Sequence, residues 1–323
     1  MDSYTQELAR EIRDAFIEQT GCFPHVVYNL LHRKKLDMNR ELAEATDSNA
    51  ACTAYWTDYQ DYIDLAKSEI LKQFGKGLFI DLHGHGHTKQ RIEYGYLLYG
   101  SQLRESDSVL NTAKRIAVSS IRNLVGTNLG NHTHAELLRG SMALGTLFAQ
   151  RGFPGVPSRQ DPYPEQTDDY FNGGYNTLEH GSNPGGEIDA IQMELYSAIR
   201  FNTAQRAAFA KAFASAVREY LQHHYFVGFS SYACQSTSIA PTVAEEVRLY
   251  PNPANESVVI RAPFETDESY SLRVVDLVGR EVIVSESVSL PLQLDICTLQ
   301  SGTYHVYLTS VTYHCIIQQL IVL

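Results

Sequence analysis

The chain has 323 residues, 44% of them hydrophobic, enough for one large domain and a small one, each with its own core. A formal net charge of -11 argues against nucleic acid or an anionic membrane as partner. No apolar run reaches membrane-spanning length, and the opening MDSYTQELAREIRD lacks a signal-peptide pattern. Five cysteines (Cys22, Cys52, Cys234, Cys297, Cys315) are scattered with no close pair, so neither a zinc ribbon nor a disulfide framework is signalled.

Up to about Phe229, apolar periodic stretches alternate with strand-like runs, the pattern of an α/β layer fold. Tyr4, Leu8, Ile12 and Phe16, four apart, predict an amphipathic helix. His25 to Leu31 reads as a strand, Tyr55 to Phe74 as a helix, and Leu78 to Leu82 as a short buried strand. Leu137 to Gln150 and Thr203 to His223 read as helices. Residues 152–187 carry many Gly, Pro, Asp and Asn, a long loop of the kind that is usually functional. Residues 188–196 alternate Ile191, Met193 and Leu195 with Gln192 and Glu194, a strand with one polar face. Ser236 to Thr242 is a small-residue linker, and the segments beyond it are short, Val/Ile/Tyr-rich and without a helix. That is the texture of a small all-β sandwich.

Residues 77–87 (Gly-Leu-Phe-Ile-Asp-Leu-His-Gly-His-Gly-His) carry the densest chemistry. Asp81, His83, His85 and His87 lie two apart, so an extended backbone points them to one side. Neutral imidazole is the commonest metal ligand, and a neighbouring carboxylate often fixes its tautomer. The cluster reads as a metal site. A second group, His32 to Arg40, follows the predicted strand. Lys34 and Lys35 read as a solvated turn, whereas Arg33 and Arg40 offer planar forks for a carboxylate, with Asn39 adding amide hydrogen bonds. Glu194 is either an exposed strand carboxylate or, beside a metal, a general base. Tyr175 and His180 are candidate substrate contacts or plain loop residues.

Together these stretches resemble the N-formylglutamate amidohydrolase family. The likeness rests on His32-Arg33-x-x-x-Asp37-x-Asn39-Arg40, Asp81-Leu82-His83-Gly84-His85-Gly86-His87, Gly173-Gly174-Tyr175-Asn176-Thr177, His180-Gly181-Ser182 and Ile191-Gln192-x-Glu194, in that order from about Asp2 to Phe229. It implies an α/β fold with a mixed sheet flanked by helices, of the zinc-carboxypeptidase (phosphorylase/hydrolase-like) kind. It further implies a zinc cofactor with His83 as ligand, Glu194 as general base, Asn39 and Arg40 clamping a substrate carboxylate, and Arg33 near the reacting carbonyl. Members of that family begin with a strand ending in Pro-His-Gly-Gly or Pro-His-Ser-Gly, whose histidine is a metal ligand; this chain has no such segment. Asp2-Ser3-Tyr4-Thr5 resembles the Asp-x-x-Thr stretch that follows it, making Asp2 the other ligand. The chain is thus expected to lack the first strand, one ligand and a signal peptide, with His85 a substitute ligand.

A second resemblance covers about Val247 to Leu323. Leu249-Tyr250-Pro251-Asn252-Pro253-Ala254, Leu272-x-Val274-x-Asp276-x-x-Gly279-Arg280 and Leu299-x-Ser301-Gly302-x-Tyr304 are similar to the type IX secretion sorting domain of Bacteroidetes. Pro251 and Asn252 are read as starting its first strand, and Gly279 and Gly302 as hairpin turns. The expected layout is a hydrolase-like domain over 1–235, a linker over 236–246 and a sorting sandwich over 247–323. The implied protein is a secreted or cell-surface zinc amidohydrolase acting on a small molecule or short peptide that bears a carboxylate, with the type IX machinery as partner. The alternative is a non-catalytic surface module that retains the hydrolase fold.

Overall fold

The computed structural model describes residues 3–47, 49–228, 247–261, 269–276, 280–309 and 316–323. The chain divides into two compact units, Met1–Ser236 and Thr237–Leu323. Asp2 and the predicted linker lie outside the described residues.

In the first unit, α1 (Thr5–Thr20) buries Leu8, Ile12, Ala15 and Phe16, the stripe its spacing predicts. Gly21, at φ 71°, donates its N–H to the Ile17 carbonyl and closes the helix. Tyr4 caps the other end, and its half-exposed ring stands edge-on to Phe201. The predicted strand His25–Leu31 is absent: residues 22–30 carry neither helix nor strand. An apolar run becomes a strand only where a neighbour accepts its ladder bonds, and Leu30 is left 72% exposed.

After α2 (Leu42–Thr46) and α3 (Ala50–Phe74) come β1 (Gly77–Gly84) and β2 (Ile92–Gly95). Short helices α4 (Gly100–Leu103), α5 (Asp107–Leu110), α6 (Ala113–Ala117) and α7 (Arg122–Thr127) lead to α8 (His134–Arg139) and α9 (Leu144–Gln150). The single helix predicted over Leu137–Gln150 is therefore two. Gly140 ends α8 by donating to the Glu136 carbonyl, and a Cβ there would lie 2.4 Å from that oxygen. The rest is β3 (Gly155–Val156), α10 (Tyr175–His180), β4 (Ile188–Leu195), α11 (Ser197–Phe201) and α12 (Thr203–His224).

The sheet has the order β1-β4-β2-β3, with β1 parallel to β4, β2 antiparallel to β4, and β3 parallel to β2. It is mixed and flanked by helices. Leu78, Ile80, Leu82, Ile92, Tyr94, Ile191, Met193 and Leu195 pack with Leu8, Phe148 and Phe213 into the main core. Period-two alternation then turns Phe79, Asp81, His83, Glu93, Gln192 and Glu194 to the opposite face, the side against which α10 packs on β1 and β4. All eight residues of β4 are buried, as a central strand covered on both faces requires.

Two buried ionisable side chains, Arg200 and Asp189, join the elements of this arrangement. Arg200 donates to the carbonyls of Leu195, His85 and Ser3, tying the ends of β1 and β4 to the start of α1. Asp189 accepts from the Ser182 hydroxyl, the Leu124 N–H and the Tyr225 hydroxyl, yet burial still lifts its carboxyl to about 6. A folded pKa above the unfolded one means the contribution is fully present below about 4 and lost as pH rises through about 6. Asp189→Asn keeps the hydrogen-bonding shape and removes the titration. Denaturant unfolding of that variant should gain roughly 3 kcal/mol over the native chain between pH 4 and 8; a constant difference across that range would count against it.

Cys22 is disulfide-bonded, whereas Cys52 and Cys297 are free. The scattered spacing gave no sign of this bridge, because pairing depends on spatial and not sequential proximity.

The second unit consists of β5 (Arg248–Tyr250), β6 (Ser257–Arg261), β7 (Tyr270–Asp276), β8 (Glu281–Val288), β9 (Leu292–Asp295), β10 (Gly302–Thr309) and β11 (Ile316–Val322). They form sheets of order β11-β10-β7-β8 and β5-β6-β9. Val258, Ile260 and Leu294 from one sheet share a core with Leu272, Val274, Val306 and Leu308 from the other. Pro251 and Asn252 follow β5 and do not start it. Gly302 opens β10 after the chain passes from one sheet to the other, so it makes no hairpin. Gly279 lies outside the described residues, between two strands that pair antiparallel.

Candidate functional site

His83 and Glu194 are register partners on parallel strands, one residue short of the end of each. They are 8% and 6% exposed, so Glu194 is not the solvated strand carboxylate that its sequence equally allowed. Crevices at the carboxyl ends of parallel strands are the usual ligand sites of α/β sheets. Directly across β4, Glu194 is paired in register with Glu93 of β2. His83, Glu194 and Glu93 thus form one row on the same face of the sheet.

Asp81, two residues before His83, holds its Oδ2 3.0 Å from His83 Nε2. The Asn39 amide nitrogen approaches the same ring nitrogen at 3.4 Å. An acceptor and a donor therefore converge on one atom. Asn39 is itself fixed, since its Oδ1 accepts the Asn176 N–H at 2.9 Å. A Cβ on Gly174 would come within 2.3 Å of the Asn39 amide, so glycine there admits this contact.

From Asn176 the hydrogen bonds continue inward. Gln60 donates to Asn176 Oδ1 at 3.3 Å and accepts from His180 Nε2 at 2.7 Å. Lys67 donates to His180 Nδ1 at 3.2 Å. Burial first, and then the Lys67 charge, push the His180 imidazole down to about 4, so it is neutral with its proton on Nε2. His180 is a buried positioning residue and does not touch the cavity described next, contrary to its reading as a substrate contact.

A cavity of about 890 Å³ runs along edge strand β1, walled by α1, α3 and the irregular segment 22–39. Its polar lining includes Asp81, His83, Asn39, Asn176, Tyr59 and Arg33. Burial, and then the Asp81 charge, raise the Tyr59 hydroxyl well above its usual range, so it is a neutral donor at physiological pH. Arg33 binds Asp37 Oδ2 through Nε at 3.1 Å and Nη2 at 2.8 Å. Arg40 is half-exposed, sits 3.2 Å from Glu44 and does not line the cavity. Tyr175 is also off the wall, its ring tilted against Trp56.

His85 and His87 lie beyond the end of β1, where the chain turns, so the predicted extended alternation stops at His83. His85 Nδ1 accepts the His87 N–H at 3.1 Å, which places its proton on Nε2, donating to the Arg91 carbonyl at 2.8 Å. His87 donates through Nδ1 to Glu93 Oε1 at 2.8 Å, and Glu93 Oε2 accepts the Phe171 N–H. Among the described residues, His85, His87 and Glu93 are the group of three whose ligand atoms fall within 4.8 Å of one another. A metal there would have to displace hydrogen bonds that brace the turn. His85, expected to stand in for the missing family ligand beside His83, groups instead with His87 and Glu93, and binding an ion would cost the hydrogen bonds that its ring nitrogens make.

The structure thus gathers His83, Asn39 and Arg33 on the cavity, sets Glu194 beside His83 in the strand register but off the cavity wall, and leaves Arg40 and Tyr175 off that wall too. Sequence reasoning set Asp81 beside His83 but missed Glu93, Gln60, Lys67 and the link through Asn176. Glu93 carried a usable signal, the Ile92-Glu93-Tyr94 alternation that Glu194 also shows.

A family model described as a secretion system C-terminal sorting domain matches residues 248–323. The chain therefore carries a type IX secretion sorting domain of the Bacteroidetes kind, which marks a secreted or cell-surface protein handled by that machinery. No curated protein matches the chain. One solved structure is PorZ, an essential surface component of the type IX secretion system of Porphyromonas gingivalis. It is 21% identical over 27% of this chain and 12% of its own, with a TM-score of 0.22, too slight a likeness to bear on the fold. Among the described residues no helix is long and apolar enough to cross a membrane.

Proposed function

We propose that the first unit is an exported zinc-dependent amidohydrolase that cleaves an amide bond in a small carboxylate-bearing substrate, an N-formyl or N-acyl amino acid or a short peptide. The observation that carries this reading is the buried register pairing of His83 with Glu194 at the strand ends, where His83 itself lines a cavity that also presents Arg33 and Asn39. The donor set fits zinc. The His83 imidazole nitrogen and the Asp81 carboxylate oxygen, 3.0 Å apart and both buried, are the nitrogen and oxygen donors that zinc takes, close enough to share one ion. His83 and Asp81 would hold the ion, with Asp2 the further ligand that the family resemblance implies. When bound, zinc supplies Lewis-acid polarisation of the amide carbonyl and of the attacking water. Glu194 would take a proton from the attacking water as the water oxygen bonds to the carbonyl carbon. The same proton then passes to the departing amine nitrogen as the C–N bond breaks. Arg33 and Asn39 hold the substrate carboxylate, and Tyr59 donates a hydrogen bond within the cavity.

The test is zinc content by mass spectrometry together with turnover of a panel of N-formyl and N-acetyl amino acids. Zinc at about one equivalent with hydrolysis of the carboxylate substrates supports the reading. The non-catalytic surface module is favoured by one observation, that the three-donor group among the described residues lies at His85, His87 and Glu93 and not at His83. Absence of both zinc and turnover would establish that module instead.

Export makes its own prediction. Removing residues 248–323 should leave the first unit folded but strand it in the periplasm of a type IX-competent host. Fractionation finding the shortened chain still on the surface would show that the tail is dispensable. The Cys22 disulfide agrees with an oxidising destination.

A further inference from the structure

A second histidine cluster lies outside the site described above, where the loop between α7 and α8 meets the last turn of α12. His132 Nε2 and His223 Nε2 face one another at 3.2 Å. The loop holds His132 firmly: the Asn128 side chain accepts the His132 N–H at 2.7 Å and donates to the His132 carbonyl at 3.1 Å. Within the same loop Asn131 sits at φ 51°, a conformation that asparagine tolerates better than most residues. Gly130 leaves the space beside the ring open, because a Cβ there would come within 2.5 Å of His132 Nε2.

We propose that His132 and His223 form a binding site for a divalent transition metal of the zinc class, independent of the catalytic reading. Two metal–nitrogen bonds of about 2.0–2.1 Å at a tetrahedral angle separate their nitrogens by about 3.4 Å, close to the distance seen. Imidazole suits zinc, nickel and copper(II) alike. His223 lies in the last turn of α12, where the helix dipole favours a cation. On the far side of the His132 ring, Glu136 Oε2 lies 4.0 Å from Nδ1, the side from which carboxylates commonly support a metal-bound histidine. Both imidazoles reach solvent, His223 more fully. Buried His224 packs edge-on against both rings and donates through Nε2 to the Met142 carbonyl. It serves as backing and adds no ligand. Water completes the coordination of a metal held by two histidines, so the site is an exchangeable surface site.

Calorimetric titration of the full chain with zinc chloride tests this, repeated with His132→Asn, His223→Asn and the pair together. The native chain should take up one equivalent more than any of the three variants, and His83→Asn should retain that equivalent even if the strand-end site is lost. Copper(II) bound to the His83→Asn chain should show two-nitrogen hyperfine structure by electron paramagnetic resonance, absent from the double His132/His223 variant. Gly130→Ala should weaken the same equivalent by crowding His132 without removing a ligand. Unchanged stoichiometry in the double variant would overturn the proposal and leave a plain imidazole–imidazole hydrogen bond.

Discussion

Replacing Glu194 by glutamine should lower amide turnover by about 10²–10⁴-fold, the usual worth of a positioned general base, while zinc content and thermal stability hold. The argument rests on where the residue is. Glu194 is buried on a strand whose eight residues are all buried, in register with His83 on one side and Glu93 on the other. Burying a carboxylate is costly unless it is hydrogen-bonded, coordinates a metal or does chemistry. Glutamine keeps the shape and gives up only the basicity, so a fold-related loss would appear in the melting temperature and a catalytic loss in kcat alone. Turnover within a few-fold of the parent would remove Glu194 from the mechanism.

Much of the layout was legible because it depends on local pattern. The Leu8, Ile12 and Phe16 stripe and the Ile191–Leu195 alternation each announce one face of one element and form as read, whereas the Leu78–Leu82 run forms its strand at a sheet edge, where Leu78, Phe79, Ile80 and Leu82 are only partly buried. The misreadings share a cause, which is dependence on a distant partner. His25–Leu31 has strand composition but no strand to join among the described residues. The Leu137–Gln150 periodicity persists across Gly140, and the break comes from the backbone there. At the site, the Asp-x-His spacing revealed Asp81 and His83, since residues two apart on a strand share a face. The chain from His83 through Asn39, Asn176 and Gln60 to His180 and Lys67 joins residues more than a hundred positions apart. No local pattern encodes such a network. Arg40 shows the reverse: its type and neighbours fit a carboxylate clamp, yet its guanidinium lies beside Glu44 in solvent.

That placement separates two arginines that sequence treats alike. Arg33→Ala should lower kcat/KM for carboxylate-bearing amides by about 2–3 kcal/mol, roughly 30- to 150-fold, and far less for neutral amides of the same length. The figure is taken near the low end for an ion pair because the Arg33 side chain is 38% exposed, so solvent screens part of its charge. Arg33 already binds Asp37 through Nε and Nη2, which holds the side chain at the cavity wall, so little further entropy is lost when it takes a carboxylate. Arg40→Ala should change kcat/KM by less than about threefold, because an exposed pair with Glu44 contributes about 0–1 kcal/mol. If Arg40 instead swings inward when substrate binds, the order reverses and its loss exceeds that of Arg33. Equal losses on neutral and anionic substrates from both variants would mean that neither arginine holds the carboxylate. Asn39→Ala supplies the remaining arm: it should cost activity on both substrate classes, because Asn39 also holds His83 and the first turn of α10 in place. A loss confined to anionic substrates would assign Asn39 to the clamp alone.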